Sequence, residues 1–300
     1  MIRSAPPSQL VVLISGHGSN LQAILDASAS GEFDATVAAV VSNKAEAYGL
    51  TRARNAGVES IHFPKLESES RQQYDSRLAN YVTTKLPNYI ILAGWMRILS
   101  SAFLSSFPNR VINLHPALPD TFPGTHAIER AYEAYQHGEI QHTGIMVHLV
   151  PDEGVDNGPV LATEIVPIYK NDTLETLETR VHQTEHKIFV KTLNNWILSQ
   201  TTWESFESGK TIGLRGSEKG IIVLDEFQKD GARITLEKDG VTAPWTITCG
   251  GGFVHTVFFK TRERAEKTYS LMKFDLWKIM QIPNEDDLYS NLIEFVKKYE

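Results

Sequence analysis

The chain has 300 residues, 42% hydrophobic and 22% charged, which suits one sizeable core or two unequal ones in an ordinary folded protein. Its net charge of −7 divides into −6 over residues 1–204 and −1 over residues 205–300, so neither part is a polycation built for a nucleic-acid backbone. One cysteine, Cys249, rules out a disulfide framework and suits a reducing, cytoplasmic compartment, and no run approaches the roughly 20 apolar residues that span a bilayer.

Residues 1–9, with Pro6 and Pro7, are too short and too polar for a secretory signal. Residues 10–14 form a continuous apolar run with β-branched members, which predicts a strand buried on both faces, as in a parallel sheet. The run ends at Ser15-Gly16-His17-Gly18-Ser19-Asn20, and a helical pattern with Leu21, Ile24 and Leu25 follows at once. A second strand is predicted over 37–41 and its helix over 47–56, then a third strand over 60–63 and a helix over 74–85. A fourth strand over 89–93 and a fifth over 111–114 complete the alternation. This rhythm predicts βαβ units in an α/β domain: a Rossmann-like open, mostly parallel sheet with right-handed crossovers.

Past the fifth strand, Pro116, Pro119, Pro123 and Gly124 hold an irregular loop before a helix over 127–137. Strands over 144–150 and 161–166 flank a Gly- and Pro-bounded loop, and a long helix over 173–198 closes a first domain, residues 1–204. Residues 205–300 read as a small α+β extension. Strands are expected at 221–224, 232–236, 244–249 and 253–259, then a helix over 262–280. Asn284 can cap a last helix, with Asp287 at its third position favouring the positive end.

Three places could carry chemistry. Gly16 and Gly18 permit close backbone approach, and Ser19 and Asn20 set side-chain donors beside the free N–H groups opening the helix. That geometry accepts an anion such as phosphate. The spacing lacks the third glycine of a dinucleotide fingerprint and the Gly-Lys-Ser/Thr of a P-loop, and a tight turn with a helix cap accounts for the same residues. Asn113 and His115 stand two apart at the carboxyl end of the fifth strand, so both side chains point toward the crevice where open α/β sheets bind ligands. An asparagine amide can donate to a developing oxyanion, and a histidine can exchange a proton near neutral pH. A histidine that only hydrogen-bonds a loop fits the spacing equally well. Asp156 could present its carboxylate to an imidazole or simply face solvent, while Asp152 and Glu153 read as ordinary loop acids. Of the other histidines (His142, His148, His182 and His186 among them), the last two are four apart on a helix. Glu185 and its polar neighbours make that an exposed face, and no metal is expected.

The segments 11–24 (Val-Val-Leu-Ile-Ser-Gly-His-Gly-Ser-Asn-Leu-Gln-Ala-Ile), 41–50 (Val-Ser-Asn-Lys-Ala-Glu-Ala-Tyr-Gly-Leu) and 93–100 (Ala-Gly-Trp-Met-Arg-Ile-Leu-Ser) stand in order with four more. These are 113–118 (Asn-Leu-His-Pro-Ala-Leu), 122–126 (Phe-Pro-Gly-Thr-His), 155–160 (Val-Asp-Asn-Gly-Pro-Val) and 184–186 (Thr-Glu-His). The ordered set closely resembles the phosphoribosylglycinamide formyltransferases, the folate-dependent glycinamide ribonucleotide transformylases of purine biosynthesis. The resemblance implies a formyltransferase fold and formyl transfer from 10-formyltetrahydrofolate, as cosubstrate, to the amine of glycinamide ribonucleotide. It implies Asn113, His115 and Asp156 as catalytic residues, with Asn113 and a protonated His115 facing the oxyanion and Asp156 orienting His115 and relaying a proton. It further implies that Gly16, Gly18, Ser19 and Asn20 hold the substrate phosphate and that Glu185 binds the nucleotide. Met96, Arg97, Ile98 and Leu99 match the folate-pocket segment, with Arg97 toward the glutamate tail. The loop over 151–156, with Asp152 and Asp156, would close over the pterin, and Asn113 would border it.

Two departures stand out. The 151–156 loop is one residue longer than the family's common pattern, and residues 205–300 match nothing in its single-domain form. The tail is also unlike the β-barrel that related methionyl-tRNA formyltransferases carry. The implied partners are glycinamide ribonucleotide and reduced folate, with no nucleic acid and no membrane; a homodimer is left open. Two other readings use the same residues: a formyl-folate enzyme acting on another acceptor (a nucleotide-sugar amine, methionyl-tRNA or water), or a non-catalytic folate- or nucleotide-binding regulatory module. A phosphate-binding turn favours the first reading, and the intact Asn113, His115 and Asp156 argue against a dead site.

Overall fold

The apolar run of the first strand is buried from end to end: Leu10 through Ile14 are all fully shielded in β1 (Ser8–Ile14). A strand with no solvent face needs neighbours on both edges and helices on both sides, and the computed structural model of the chain supplies them. It describes residues 6–32, 34–229, 231–251 and 253–300, so residues 1–5 of the opening stretch lie outside.

Helix α1 (Ser19–Ser30), β2 (Ala35–Ser42), α2 (Tyr48–Asn55), β3 (Glu59–His62), α3 (Arg71–Thr83) and β4 (Tyr89–Leu92) follow in alternation. Next come the short α4 (Ser101–Leu104), β5 (Val111–His115), α5 (Ala127–Gln136), β6 (His142–Leu149), β7 (Val160–Pro167) and the long α6 (Leu174–Thr201). The sheet order is β3-β2-β1-β4-β5-β6-β7. Neighbours from β3 to β5 are parallel, whereas β6 runs antiparallel to both β5 and β7. The mostly parallel, Rossmann-like architecture expected from the sequence is what forms.

The chain moves outward from β1 to β3, then returns to the other side of β1 as β4. At such a reversal the connections diverge and leave a crevice beyond the carboxyl ends of the strands. Ser15 stitches it together. Its N–H donates to the Gly94 carbonyl (2.9 Å), its hydroxyl donates to Asn43 Oδ1 (2.7 Å), and the Met96 N–H donates to that hydroxyl (2.9 Å). Three loops, after β1, β2 and β4, are thereby fixed to one buried side chain.

Local details depart from expectation for local reasons. Helix α3 starts at Arg71 because Ser70 and Gln73 form a reciprocal capping box. Helix α4 is a single turn, too short for any periodicity to reveal.

The chain divides into two compact units, Met1–Asn195 and Trp196–Glu300, a division that falls inside α6. Within the second unit Trp196, a fully buried ring, packs edge-on against Phe274 (centroids 5.2 Å apart). That unit holds an antiparallel sheet in the order β12-β11-β10-β9-β8, from the two-residue β8 (Glu204–Ser205) through β9 (Ile221–Phe227), β10 (Arg233–Lys238) and β11 (Trp245–Gly250) to β12 (Val254–Phe259). Ile234, Leu236, Ile247 and Cys249 bury one sheet face in a core shared with α7 (Arg262–Met280) and the end of α8 (Glu285–Lys298). Asn284 caps α8 by accepting the Asp286 N–H (3.0 Å).

Asp275 ties α8 to α7. Its carboxylate accepts from Lys298 Nζ (2.5 Å), the Tyr299 hydroxyl (2.8 Å) and Lys278 Nζ (2.9 Å). Burial raises its pKa, but Lys278 and Lys298 outweigh burial and hold it below the ordinary value. A depressed carboxyl stabilises the fold above its unfolded pKa, and that contribution is lost as pH falls through the folded one. Asp275→Ala should cost about 2 kcal/mol, less than the roughly 3–5 kcal/mol of a fully buried pair because both lysines are half-exposed. Hydrogen exchange should accelerate across α8 and leave β1 to β5 unchanged; unaltered α8 exchange would show that the ion cluster contributes nothing.

Candidate active site

Asn113 and His115 end β5 on one side, and Leu114 between them is turned into the core. Asp156 comes from the loop between β6 and β7 and meets both. The Asn113 amide nitrogen donates to Asp156 Oδ1 (3.1 Å), and His115 Nδ1 lies 3.2 Å from Asp156 Oδ2. The Gly124 N–H donates to the same Oδ2 (2.8 Å). A fourth residue, which the sequence reading left without a role, completes the cluster. His148 Nε2 lies 3.1 Å from the Asn113 amide nitrogen and 3.6 Å from Asp156 Oδ1, and its Nδ1 meets the Leu149 carbonyl at 2.9 Å. His148 is there because β6 pairs antiparallel with β5 in a register that sets it directly opposite Asn113.

The second His115 nitrogen is also engaged: Nε2 lies 3.0 Å from the Phe122 carbonyl, which Arg130 also donates to (2.7 Å). Both imidazole nitrogens therefore face oxygen acceptors. Burial nevertheless lowers the His115 pKa below the ordinary value, outweighing the upward pull of Asp156 and of the Phe122 carbonyl. For Asp156, burial pushes upward, but the nearness of His148, the hydrogen bond from the Gly124 N–H and the nearness of His115 bring the carboxyl below its usual range. The resting site thus holds an ionised carboxylate beside an imidazole that takes up a proton reluctantly. Asp156 itself has a left-handed backbone (φ 51°), a conformation that aspartate adopts more readily than most residues.

The glycine turn lies at the carboxyl end of β1, beside the strand-order reversal. Gly18 takes a left-handed conformation (φ 74°) at the start of α1, where no side chain caps the helix and its first turn holds no acid. The Asn20 amide donates to Glu185 Oε2 (3.2 Å), bringing together two motifs 165 residues apart. Glu185 is buried, and its Oε2 also contacts His182 Nδ1 (2.8 Å). Asn20 Oδ1 is buried without a partner, and an unpaired acceptor of this kind invites a donor from a ligand.

The proposed folate segment divides. Met96 and Ile98 are exposed apolar side chains, whereas Leu99 is only 3% exposed and sits in the core with Trp95 and Phe103. Leu99 therefore supports the segment from beneath. Arg97 lies with its guanidinium 4.6 Å from the Tyr74 ring. Asp152 is exposed and accepts the N–H of Gly154 within its own loop (2.9 Å). Glu153, read from sequence as an ordinary loop acid, is the loop's anchor: it pairs with Arg71 of α3 and accepts the Ser101 N–H (2.8 Å).

A buried histidine with a lowered pKa contributes stability above its unfolded value and costs stability as pH falls below it. In an NMR titration His115 should protonate below the ordinary value of about 6.5, and Asp156→Asn should lower its midpoint further by removing the charge that pulls it up. A midpoint unchanged in Asp156→Asn would mean that the carboxylate does not act on the imidazole.

The formyl transferase family matches residues 8–193. The chain is 44% identical over 197 residues to phosphoribosylglycinamide formyltransferase of Dictyostelium discoideum, covering 61% of this chain and 95% of that protein. It is 43% identical over 180 residues to the Escherichia coli (strain K12) protein of the same name, covering 60% and 82% respectively. Among solved structures, glycinamide ribonucleotide transformylase 1 from Symbiobacterium toebii superposes with a TM-score of 0.62 at 37% identity, over 68% of this chain and 93% of that one. The family match ends before the second unit begins. The chain belongs to the formyl transferase family.

Proposed function

We infer that this chain transfers the formyl group of 10-formyltetrahydrofolate to the amine of glycinamide ribonucleotide, a step of purine biosynthesis. Its similarity to enzymes of that name along nearly their whole length supports the substrates. The observation that carries the chemistry is the contact of Asp156 with both Asn113 and His115 at the carboxyl end of β5.

In the proposed sequence, the amine lone pair attacks the formyl carbon and the carbonyl electrons move onto oxygen. The Asn113 amide and the His115 imidazolium donate to that oxyanion. Developing negative charge raises the His115 pKa, which offsets the depression imposed by burial and allows the ring to hold its proton at the moment of need. The carbonyl then re-forms as the bond to the folate nitrogen breaks, and the proton lost by the amine passes to that nitrogen, relayed near Asp156. In the resting site the same donors are satisfied internally, by Asp156, His148 and the Phe122 carbonyl, so a formyl oxygen binds by replacing one of these partners. Gly16, Gly18, Ser19 and Asn20 receive the acceptor's phosphate, with Glu185 beside them on the nucleotide. Met96, Arg97, Ile98 and the 151–156 loop, including Asp152, border the folate, over Leu99. Cytoplasmic residence and assembly as a homodimer complete the proposal; sedimentation of the full chain tests the second. Among the described residues no helix is long and apolar enough to cross a membrane.

The decisive assay supplies 10-formyltetrahydrofolate with glycinamide ribonucleotide and, separately, with other amines. Formylated glycinamide ribonucleotide should be the preferred product, and its absence would sink the assignment. His115→Ala and Asp156→Asn should each lower kcat by more than about tenfold with the circular dichroism spectrum unchanged. Near-normal turnover in both would remove these residues from the mechanism.

A further inference from the structure

Arg52 on α2 commits its guanidinium to the glycine turn. Nε donates to the His17 carbonyl (3.0 Å), Nη1 donates to Gln22 Oε1 on α1 (3.1 Å), and Nη2 lies 3.2 Å from His17 Nδ1. The group also lies 5.0 Å from the centroid of the Tyr48 ring, which stacks on the His17 ring (5.3 Å, 22° between planes). The backbones are equally close here. The Gly49 N–H donates to the Gly16 carbonyl (3.2 Å), and a Cβ added to Gly18 would fall 2.8 Å from Gly49 Cα.

These contacts have one consequence for an anion. A turn offers its N–H groups to phosphate only when its carbonyls are directed elsewhere. The Gly16 and His17 carbonyls are both occupied from α2, by the Gly49 N–H and by Arg52. The N–H groups that open α1 are meanwhile left without a side-chain cap. Arg52 also fixes a positive charge beside the turn, and its planar fork is shaped for several acceptors at once in a way that a lysine ammonium is not.

We propose that Arg52 is a positioning residue for the acceptor's phosphate: it holds residues 16–20 in their anion-receiving shape and adds a fixed cation beside them. The inference rests on the reading of that turn as the phosphate subsite. All the Arg52 contacts above are to protein groups, so it acts through the turn, and none reaches Asn113, His115 or Asp156.

The test is steady-state kinetics of the full chain and of Arg52→Ala and Arg52→Lys, with glycinamide ribonucleotide and with glycinamide riboside, the same acceptor without phosphate. Arg52→Ala should raise KM for the ribonucleotide roughly tenfold, with a much smaller change in kcat and in KM for 10-formyltetrahydrofolate. Arg52→Lys keeps the charge but loses the fork, and should recover only part of the loss. Inorganic phosphate should inhibit competitively with the ribonucleotide and weaken in parallel across the variants. The riboside should lose far less than the ribonucleotide, and it serves as the control for folding in the same preparations. Equal losses with the two acceptors, or unchanged phosphate inhibition, would overturn the inference while leaving the formyl-transfer reading intact. A wild-type chain inert toward both acceptors would overturn that reading, and the inference with it.

Discussion

The carboxylate of Asp156 is the point on which the carboxyl-terminal end of the sheet is built. It gathers the end of β5, the 116–126 loop and β6 through Asn113, His115, the Gly124 N–H and His148. A half-buried charge of this kind is tolerable only because so many donors surround it. Its left-handed backbone is tolerable for the same reason, since the contacts on its two oxygens over-determine where the loop must lie. Three further non-glycine residues with positive φ, Asp120, Phe122 and His126, lie in the loop that supplies the Gly124 N–H and the Phe122 carbonyl. Four non-glycine residues with left-handed backbone thus lie on the two loops that meet at the imidazole.

Why the cluster stands where it does follows from sheet order. Reversal between β1 and β4 opens the crevice, and β5, next to β4, brings Asn113 and His115 to the same carboxyl-terminal edge as the glycine turn. Ser15 ties that edge together by bonding from its own loop to two others. The proposed phosphate turn and the proposed catalytic cluster thus share a scaffold, so on that reading binding energy from the phosphate can position the amine for the groups at the end of β5.

Features that depend on local order were legible in the sequence. The 10–14 run could hardly be anything but a buried strand, and the two-residue spacing of Asn113 and His115 already set them on one side. What stayed hidden depends on register or on irregular backbone. His148, 35 residues on, becomes a neighbour of Asn113 only through antiparallel pairing of β5 with β6, and no composition signal encodes that register. Glu153 and Asp152 are chemically alike and adjacent, yet one anchors the loop to Arg71 and Ser101 while the other serves its own turn. Leu99 follows a loop with no period, so nothing distinguished its core-facing side chain from exposed Met96 and Ile98. The position of the unit boundary inside α6 likewise has no mark in a helix whose periodicity runs through it.

The most informative disagreement between sequence and structure concerns the charge on His115. A motif identifies the ring but says nothing of its environment, whereas the structure adds burial, which works against the proton that the proposed oxyanion stabilisation requires. These fit together if protonation is coupled to chemistry. An imidazole that were always cationic would gain from oxyanion formation only the change in Coulomb interaction, and would have to be accommodated as a buried charge in the resting enzyme. An imidazole whose protonation burial opposes, with an ionised Asp156 already in place on Nδ1, would in the proposed reaction be drawn toward its charged form by the new negative charge on the formyl oxygen. On that reading the carboxylate is the constant element, and the ring beside it is the responsive one.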